Sequence, residues 1–342
     1  MEYRSLTGRR YILGERIAKG GEAEIYEIEG CGNAVAKIYD SPLRTHHREQ
    51  KLMTMLKTPL DAQLDSLLAW PKDMLYDNKG RFAGFVMRRI TGGILLEKIY
   101  SDEGLDLLRR IVIAKNLCVA LYNIHRKAGI VVGDLNPKNV LVMEGTGLVR
   151  IIDTDSFHIS DGKRTFRCDV CVPEYISPKV SNAIPNGEPL KPVPLPTYTQ
   201  ESDEYSLAIL IFRILMDGVH PFSVALARGN YSDSLPQPAE LMKKYCFPYD
   251  VAPRGTRLPV FALPFKLLTE ELRQMFVKQL SRGESISEER WFEALCRFQE
   301  AVTVTCRADG QHKYRKGLRK CPYCEAARKK EAFFKAQRKR RG

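Results

Sequence analysis

The opening third of the chain alternates polar positions with β-branched or apolar ones in short runs. "YILGERIAKGGEAEIYEIEG" and "NAVAKIYD" predict strands broken by Gly pairs, and "RFAGFVMRRITGG" returns to strand character before ending at Gly92 and Gly93. Between these runs, "SPLRTHHREQKLMTMLK" predicts a helix of about four turns, with Ser41 suited to the N-cap and Pro42 to the first turn. From Asp106 the period changes. Leu107, Ile111, Ala114, Cys118 and Leu121 recur at helical spacing, and Gly129 offers a stop. A hairpin follows in "VLVMEGTGLVRIIDTD". "SDEYSLAILIFRILM" is apolar nearly all round and predicts a buried helix, while five prolines in "SNAIPNGEPLKPVPLPTYTQ" predict an exposed loop. Strands first and helices afterwards predict an α+β plan, a small β-rich lobe followed by a larger α-rich lobe. No internal repeat is visible.

Composition narrows the class without changing that plan. A chain of 342 residues can bury one large core or two ordinary ones, and 44% hydrophobic with 28% charged residues excludes a disordered protein. The N-terminal "MEYRSLTGRR" has no apolar core of a leader, and the most apolar run, "LAILIFRILM", is short and carries Arg213. The expectation is a cytoplasmic chain that crosses no membrane. Nine scattered cysteines, an odd number, predict reduced thiols and a metal site in place of a disulfide framework.

The formal charge of +13 is unevenly spread: residues 306 to 342 carry 14 Lys/Arg against Asp309, Glu325 and Glu331, a net +11, which leaves +2 for the rest. The body is close to neutral and the tail is a separate basic element.

Candidate chemistry concentrates in "IVVGDLNPKNVLV" and "IIDTDSF". Asp134 and Asn139 stand five residues apart in a loop between a helix and a hairpin, and Asp153 follows 19 residues after Asp134. Such residues often only cap turns, and their oxygens can also serve chemistry. In "AKGGEAEIY", small residues between two strands let backbone N–H groups approach phosphates without a Cβ in the way.

Taken in order, these stretches resemble the protein-kinase signature set, over roughly residues 10 to 300. The resemblance implies ATP and magnesium as cofactors and phosphoryl transfer to a Ser/Thr hydroxyl of a protein substrate. Ala18, Gly20, Ala23 and Ile25, with Gly21, fall on the glycine-rich loop. Ala36 and Lys37 of "AVAK" fall on the third strand, Lys37 holding phosphates and pairing with Glu49, the sole carboxylate between Pro42 and Leu60. Met87 takes the gatekeeper place, and Arg88, Arg89 and Ile90 offer backbone groups to adenine. Asp134 orients the substrate hydroxyl or accepts its proton; Asn139 and Asp153 hold magnesium. Asp203 ties to the catalytic-loop backbone as a structural support, and His125, on the apolar stripe of the long helix, reads as a core or buttress histidine in preference to a proton-transfer group.

Departures from that pattern are Val132 and Gly133 for His-Arg, Asn136 for lysine, Asp155 for the last glycine of Asp-Phe-Gly, and Lys179 for glutamate. Lys138 is the nearest cation to replace the lysine missing at Asn136. Without the arginine at 133, activation needs no phosphorylated loop. "GDLNPKNVLV", "IIDTDSF" and "CDVCVPEYISP" together are similar to a bacterial subgroup of Ser/Thr-type kinases that accompany a von Willebrand A-type protein and a phosphatase in tellurite-resistance-like gene clusters. Two other readings stay open: a nucleotide-binding pseudokinase scaffold, and a nucleic-acid-binding protein acting through its basic tail. Cys168 and Cys171 form a Cys-x-x-Cys that can be structural, metal-binding or redox-active.

The tail has its own motif. Cys306, His312, Cys321 and Cys324 are spaced C-x5-H-x8-C-x2-C, a Cys3His set that satisfies a structural, tetrahedral zinc ion. Tyr314 and Tyr323 among the basic residues allow nucleic acid as a partner, although a zinc staple followed by a solvated basic helix is favoured. Phe333 and Phe334 hint at a docking face. The expected divisions are 1–92, 93–304 and 305–342.

Overall fold

The computed structural model describes residues 1–102, 104–183, 198–227 and 235–341, so most of the proline-rich stretch expected as a loop lies outside the described residues. The chain mixes strands and helices. Strands β1 (Glu2–Arg4), β2 (Arg10–Lys19), β3 (Ala23–Ile28), β4 (Cys31–Tyr39), β5 (Pro71–Tyr76) and β6 (Phe82–Arg88) close into a barrel ordered β1-β2-β3-β4-β6-β5. Alternation along β4 decides what each residue meets. Ala36 and Ile38 turn into the barrel core with Tyr3, Tyr11 and Leu75, whereas Val35 and Lys37 face a cleft outside it.

Helices α1 (His46–Lys57) and α2 (Ala62–Leu67) lie between β4 and β5. Helix α1 begins later than Ser41 and Pro42 suggest. Ser41–Leu43 forms a separate 3-10 turn, and the Thr45 side chain accepts the Arg48 N–H at 3.2 Å as the true cap. After β6 come β7 (Gly93–Leu95), α3 (Leu96–Ile99), α4 (Leu107–Ala128), and the hairpin β8 (Val140–Met143) and β9 (Val149–Ile151). The remaining helices are α5 (Pro178–Ser181), α6 (Gln200–Leu215), α7 (Pro238–Lys243), α8 (Glu270–Arg282), α9 (Glu288–Ala301) and α10 (Pro322–Arg341).

The sequence at the ends of α4 explains its length: Asp106 accepts the Arg109 N–H at 2.9 Å, and Gly129 turns left-handed at φ 63° to stop it. Its buried stripe, Ile111, Ala114, Leu117, Cys118 and Leu121, packs against α6 and α9. The apolar α6 is buried nearly throughout, with Phe212 meeting Phe247 and Phe276, and Phe276 meeting Trp291. Each such side chain contributes about 1.5–3 kcal/mol of burial. Among the described residues no helix is long and apolar enough to cross a membrane.

One polar cluster is sealed in this core. His125 on α4 meets Asp203 Oδ2 at 3.0 Å through Nε2 and Glu288 Oε1 at 2.5 Å through Nδ1. Burial works against the imidazolium, but hydrogen bonds to the two carboxylates outweigh it and lift His125 from 6.5 to about 9.

Because that value lies above the unfolded one, the stabilisation is complete below about pH 6.5 and is lost as pH rises through about 9. The stability difference between wild type and His125→Asn is expected to be largest at pH 6. By pH 10 it shrinks by roughly 3 kcal/mol, read from denaturation midpoints across that range. A second prediction concerns Gly84, opposite Ile38 in the β4–β6 pair. A Cβ there would lie 2.0 Å from the Lys37 carbonyl oxygen, and backbone cannot yield as a flexible side chain can. Gly84→Ala should cost about 2–4 kcal/mol by chemical denaturation, while Gly32→Ala, with no atom within 4 Å of its added Cβ, should cost under about 1 kcal/mol.

Candidate functional site

Between the barrel and the helices lies a cleft of about 1030 Å³. Ala18, Gly20, Gly21, Ala23 and Ile25 line it where β2 turns into β3; Met87, Arg88, Arg89 and Ile90 line it where β6 ends. The turn is held by Gly20 N–H donating to the Ala23 carbonyl at 2.9 Å and is tied to α1 by a 2.9 Å Arg48–Glu22 ion pair. Val35, Ala69 and Leu141 add apolar wall. Val35 was legible as the residue two before Lys37 on the same strand face; Leu141 was legible as the residue two after Asn139.

The polar end of the cleft collects Lys37, Asp134, Asn139, Asp153 and Asp155. Lys37 Nζ donates to Asp153 and, at 2.6 Å, to Asp155, whose other oxygen accepts the Tyr39 hydroxyl at 2.5 Å. The two aspartates differ in access: the Asp153 side chain is 43% exposed and that of Asp155 only 7%. Burial raises the Asp155 pKa, but Lys37 and the Tyr39 hydroxyl overcome it and hold the carboxyl below its ordinary value. Burial likewise opposes charge on Lys37, and Asp155 followed by Asp153 outweighs it to raise the ammonium. Asp153 itself sits in the left-handed region at φ 60°, with its carbonyl accepting from Ser156 N–H at 3.1 Å and Ser156 Oγ at 2.8 Å.

Asp134 and Asn139 are coupled directly. Asn139 Nδ2 donates to the Asp134 carbonyl at 3.0 Å and to its Oδ2 at 3.1 Å, so the amide has Oδ1 left to offer an ion. Burial lifts the Asp134 carboxyl above its usual value, a shift opposed by Asn136 and reinforced by the charge on Asp153. The buried Asn136 braces the loop from inside, donating to the Asp134 carbonyl at 3.2 Å and accepting the Lys138 N–H at 2.9 Å. Lys138 is exposed and lines the cleft. The loop is anchored by Asp203, fully buried, which accepts Val132 N–H at 2.6 Å and Gly133 N–H at 2.8 Å. Gly133 stands at φ 79°, and a Cβ there would come 2.7 Å from Cys168 Cβ, so the cysteine fills the space a side chain would need. Burial pushes the Cys168 thiol up to about 12, which leaves it no thiolate character near neutrality.

Three expectations are corrected by this geometry. Ala36 belongs to the barrel core and not to the cleft, because it is out of phase with Lys37 on the strand. The Arg89 N–H is taken by the Asn33 carbonyl at 2.9 Å and has no hydrogen to give a base. Lys37 does not pair with Glu49: the glutamate accepts the Tyr76 hydroxyl at 2.8 Å, and Asp155 takes its place. No local signal marks that exchange, since it depends on which carboxylate the fold brings over β4.

In the tail, Sγ of Cys306, Cys321 and Cys324 and a ring nitrogen of His312 lie within 4.8 Å of one another. Cys306 Sγ to Cys324 Sγ is 3.7 Å and Cys324 Sγ to His312 Nδ1 is 3.5 Å, close to the edges of a tetrahedron with bonds of about 2.0–2.3 Å. Nε2 of His312 faces Asp309 at 3.5 Å, an orienting contact of the kind ligand histidines use. The set is compatible with zinc. Tyr314 and Tyr323 are half-buried against the main core.

No family model matches the chain. Over 337 residues, 93% of the chain, it is 28% identical to "Protein kinase YegI" of Escherichia coli (strain K12), of which it covers 49%. The protein of that name from Escherichia coli O157:H7 matches at 28% over 338 residues, with the same coverage. A shorter stretch of 140 residues, 40% of the chain, is 29% identical to 7% of smooth-muscle myosin light chain kinase from Gallus gallus. The chain thus spans about half the length of the YegI proteins. These similarities support a protein kinase-like family for the chain.

Proposed function

We propose that the chain is an ATP- and magnesium-dependent protein kinase that phosphorylates Ser/Thr hydroxyls of a partner protein. The observation that carries this reading is the gathering of Lys37, Asp134, Asn139 and Asp153 at one end of a cleft that also offers an apolar surface of Val35, Ala69, Met87 and Leu141. That donor set fits a nucleotide with a divalent cation: apolar surface for a base, an ammonium for phosphate, and carboxylate and amide oxygens for a hard ion. When bound, the nucleotide supplies the transferable phosphoryl group and magnesium neutralises its charge. Asp153 Oδ and Asn139 Oδ1 hold the ion, Lys37 orients the α and β phosphates, and Lys138 supplies the cation that Asn136 does not. Asp134 orients the incoming hydroxyl and takes its proton. Residues 1–92 and 93–304 act as the two lobes around this cleft.

With no arginine at 133, and with Cys168, Ile176, Val180 and Tyr198 packed as an apolar cluster, the segment after Asp153 needs no phosphate to order it. The partners read from the sequence resemblance, a von Willebrand A-type protein and a cognate phosphatase, are candidate substrate and antagonist. In the tail, zinc held by Cys306, His312, Cys321 and Cys324 acts as a structural staple.

Two experiments test this reading. Asp134→Asn should reduce phosphate transfer to a general protein acceptor by about 100-fold or more while calorimetric nucleotide affinity stays within about three-fold. Equal, negligible turnover in wild type and variant, with nucleotide still bound, establishes the pseudokinase scaffold instead. For the tail, elemental analysis should find about one zinc per chain, and Cys324→Ala should lose it and lower the melting temperature. Metal-free protein with an unchanged melting point removes the zinc.

A further inference from the structure

The lysine facing the cleft has a partner that the fold supplies from an unexpected direction. Lys37 and Tyr39 stand two residues apart on β4, and both donate to Asp155, at 2.6 and 2.5 Å. The segment bearing Asp155 is itself pinned, because the buried Thr154 hydroxyl donates to the Ala69 carbonyl at 2.8 Å. Helix α1 offers Lys37 no carboxylate. Glu49 is held by Tyr76 of β5 and faces His46 at 3.4 Å. What α1 turns toward the cleft is cationic: Lys51, buried with its ammonium 3.4 Å from the Arg167 carbonyl, and Arg48, whose guanidinium lies 4.6 Å from the Tyr39 ring centre.

Access separates the duties of the two aspartates. The exposed Asp153 can turn its oxygens to an ion in the cleft, whereas Asp155, at 7% exposure and bonded to Tyr39, cannot leave Lys37 without stranding a buried carboxylate. We propose that Asp155 is the positioning residue for Lys37, so that the lysine is aimed at phosphate by β4 and the 153–155 segment, without a carboxylate from helix α1. The role rests on the kinase reading above. It follows that control acting through the helix does not reach the lysine by way of Glu49.

The test uses the full chain and five variants. Calorimetry of ADP without magnesium gives affinity, steady-state transfer gives KM for ATP and kcat, and melting curves report folding. Asp155→Asn is expected to weaken ADP binding and raise KM about ten-fold or more, the size of one lost charge-assisted bond. Glu49→Gln should have an effect at least about five-fold smaller. Lys37→Met should match Asp155→Asn, and the double variant should be no worse than Lys37→Met alone, as for residues acting as one unit. A Glu49→Gln loss as large as that of Asp155→Asn, or additive losses in the double variant, overturns the assignment. Should Asp155→Asn melt below assay temperature, Tyr39→Phe, which removes only the 2.5 Å bond, should raise KM about three-fold, and an unchanged KM overturns the proposal. A wild type that binds no nucleotide and transfers no phosphate defeats the parent reading. An active wild type with an unaffected Asp155→Asn defeats this inference alone.

Discussion

A carboxylate with no solvent contact is the constraint on which the cleft depends. Asp203 lies inside the helical core at 0% exposure, and an ion placed there is tolerable only if its lone pairs are filled. Val132 N–H, Gly133 N–H and the His125 ring fill them, and Glu288 secures the histidine from behind. Satisfying the charge therefore fixes the backbone of the loop at 132–133. One residue later that backbone delivers Asp134 to the cleft, and six residues later Asn139, whose amide then locks onto Asp134. The positions of the two polar groups in the cleft are a consequence of balancing a third that never meets it.

A second charge balance joins the barrel to the segment after β9. Lys37 is carried by the barrel, and Asp153 and Asp155 are carried by that segment, so the ion pairs span the cleft floor. Lys37 is 8% exposed, which makes the pairing obligatory in the absence of any other anion. On the proposed function, an incoming phosphate would compete for the same ammonium and relieve Asp153. The floor of the cleft is thus held by ion pairs in which one ammonium serves two carboxylates.

Much of this was readable in the residues, for reasons that can be named. Helix α4 announces itself because capping chemistry and period are local: Asp106 and Gly129 act on groups three to five residues away. Ser41 and Pro42 point to an earlier start for α1 than Thr45 gives, because a separate 3-10 turn at Ser41–Leu43 takes up those residues first. Ala36 was misassigned for want of strand phase, which Lys37 alone could have supplied. The partner of Lys37 and the close approach at Gly84 were not readable at all. Both depend on which strand or segment lies across β4, and no spacing within the sequence carries that information.

The basic tail shows the same limit from the other side. By charge alone residues 306–342 are a separate element, yet the structure builds the Cys3His segment onto the helical core. Lys313 pairs with Asp106 at 3.0 Å, the residue that caps α4; Lys316 N–H reaches the Ala301 carbonyl at 3.2 Å at the end of α9; Tyr314 and Tyr323 cover core side chains. The four potential ligands thus gather on a segment attached at the N-terminus of one core helix and the C-terminus of another, so ordering it also closes the ends of those helices. A metal held there would steady the segment whose Lys313 meets Asp106 at the start of α4.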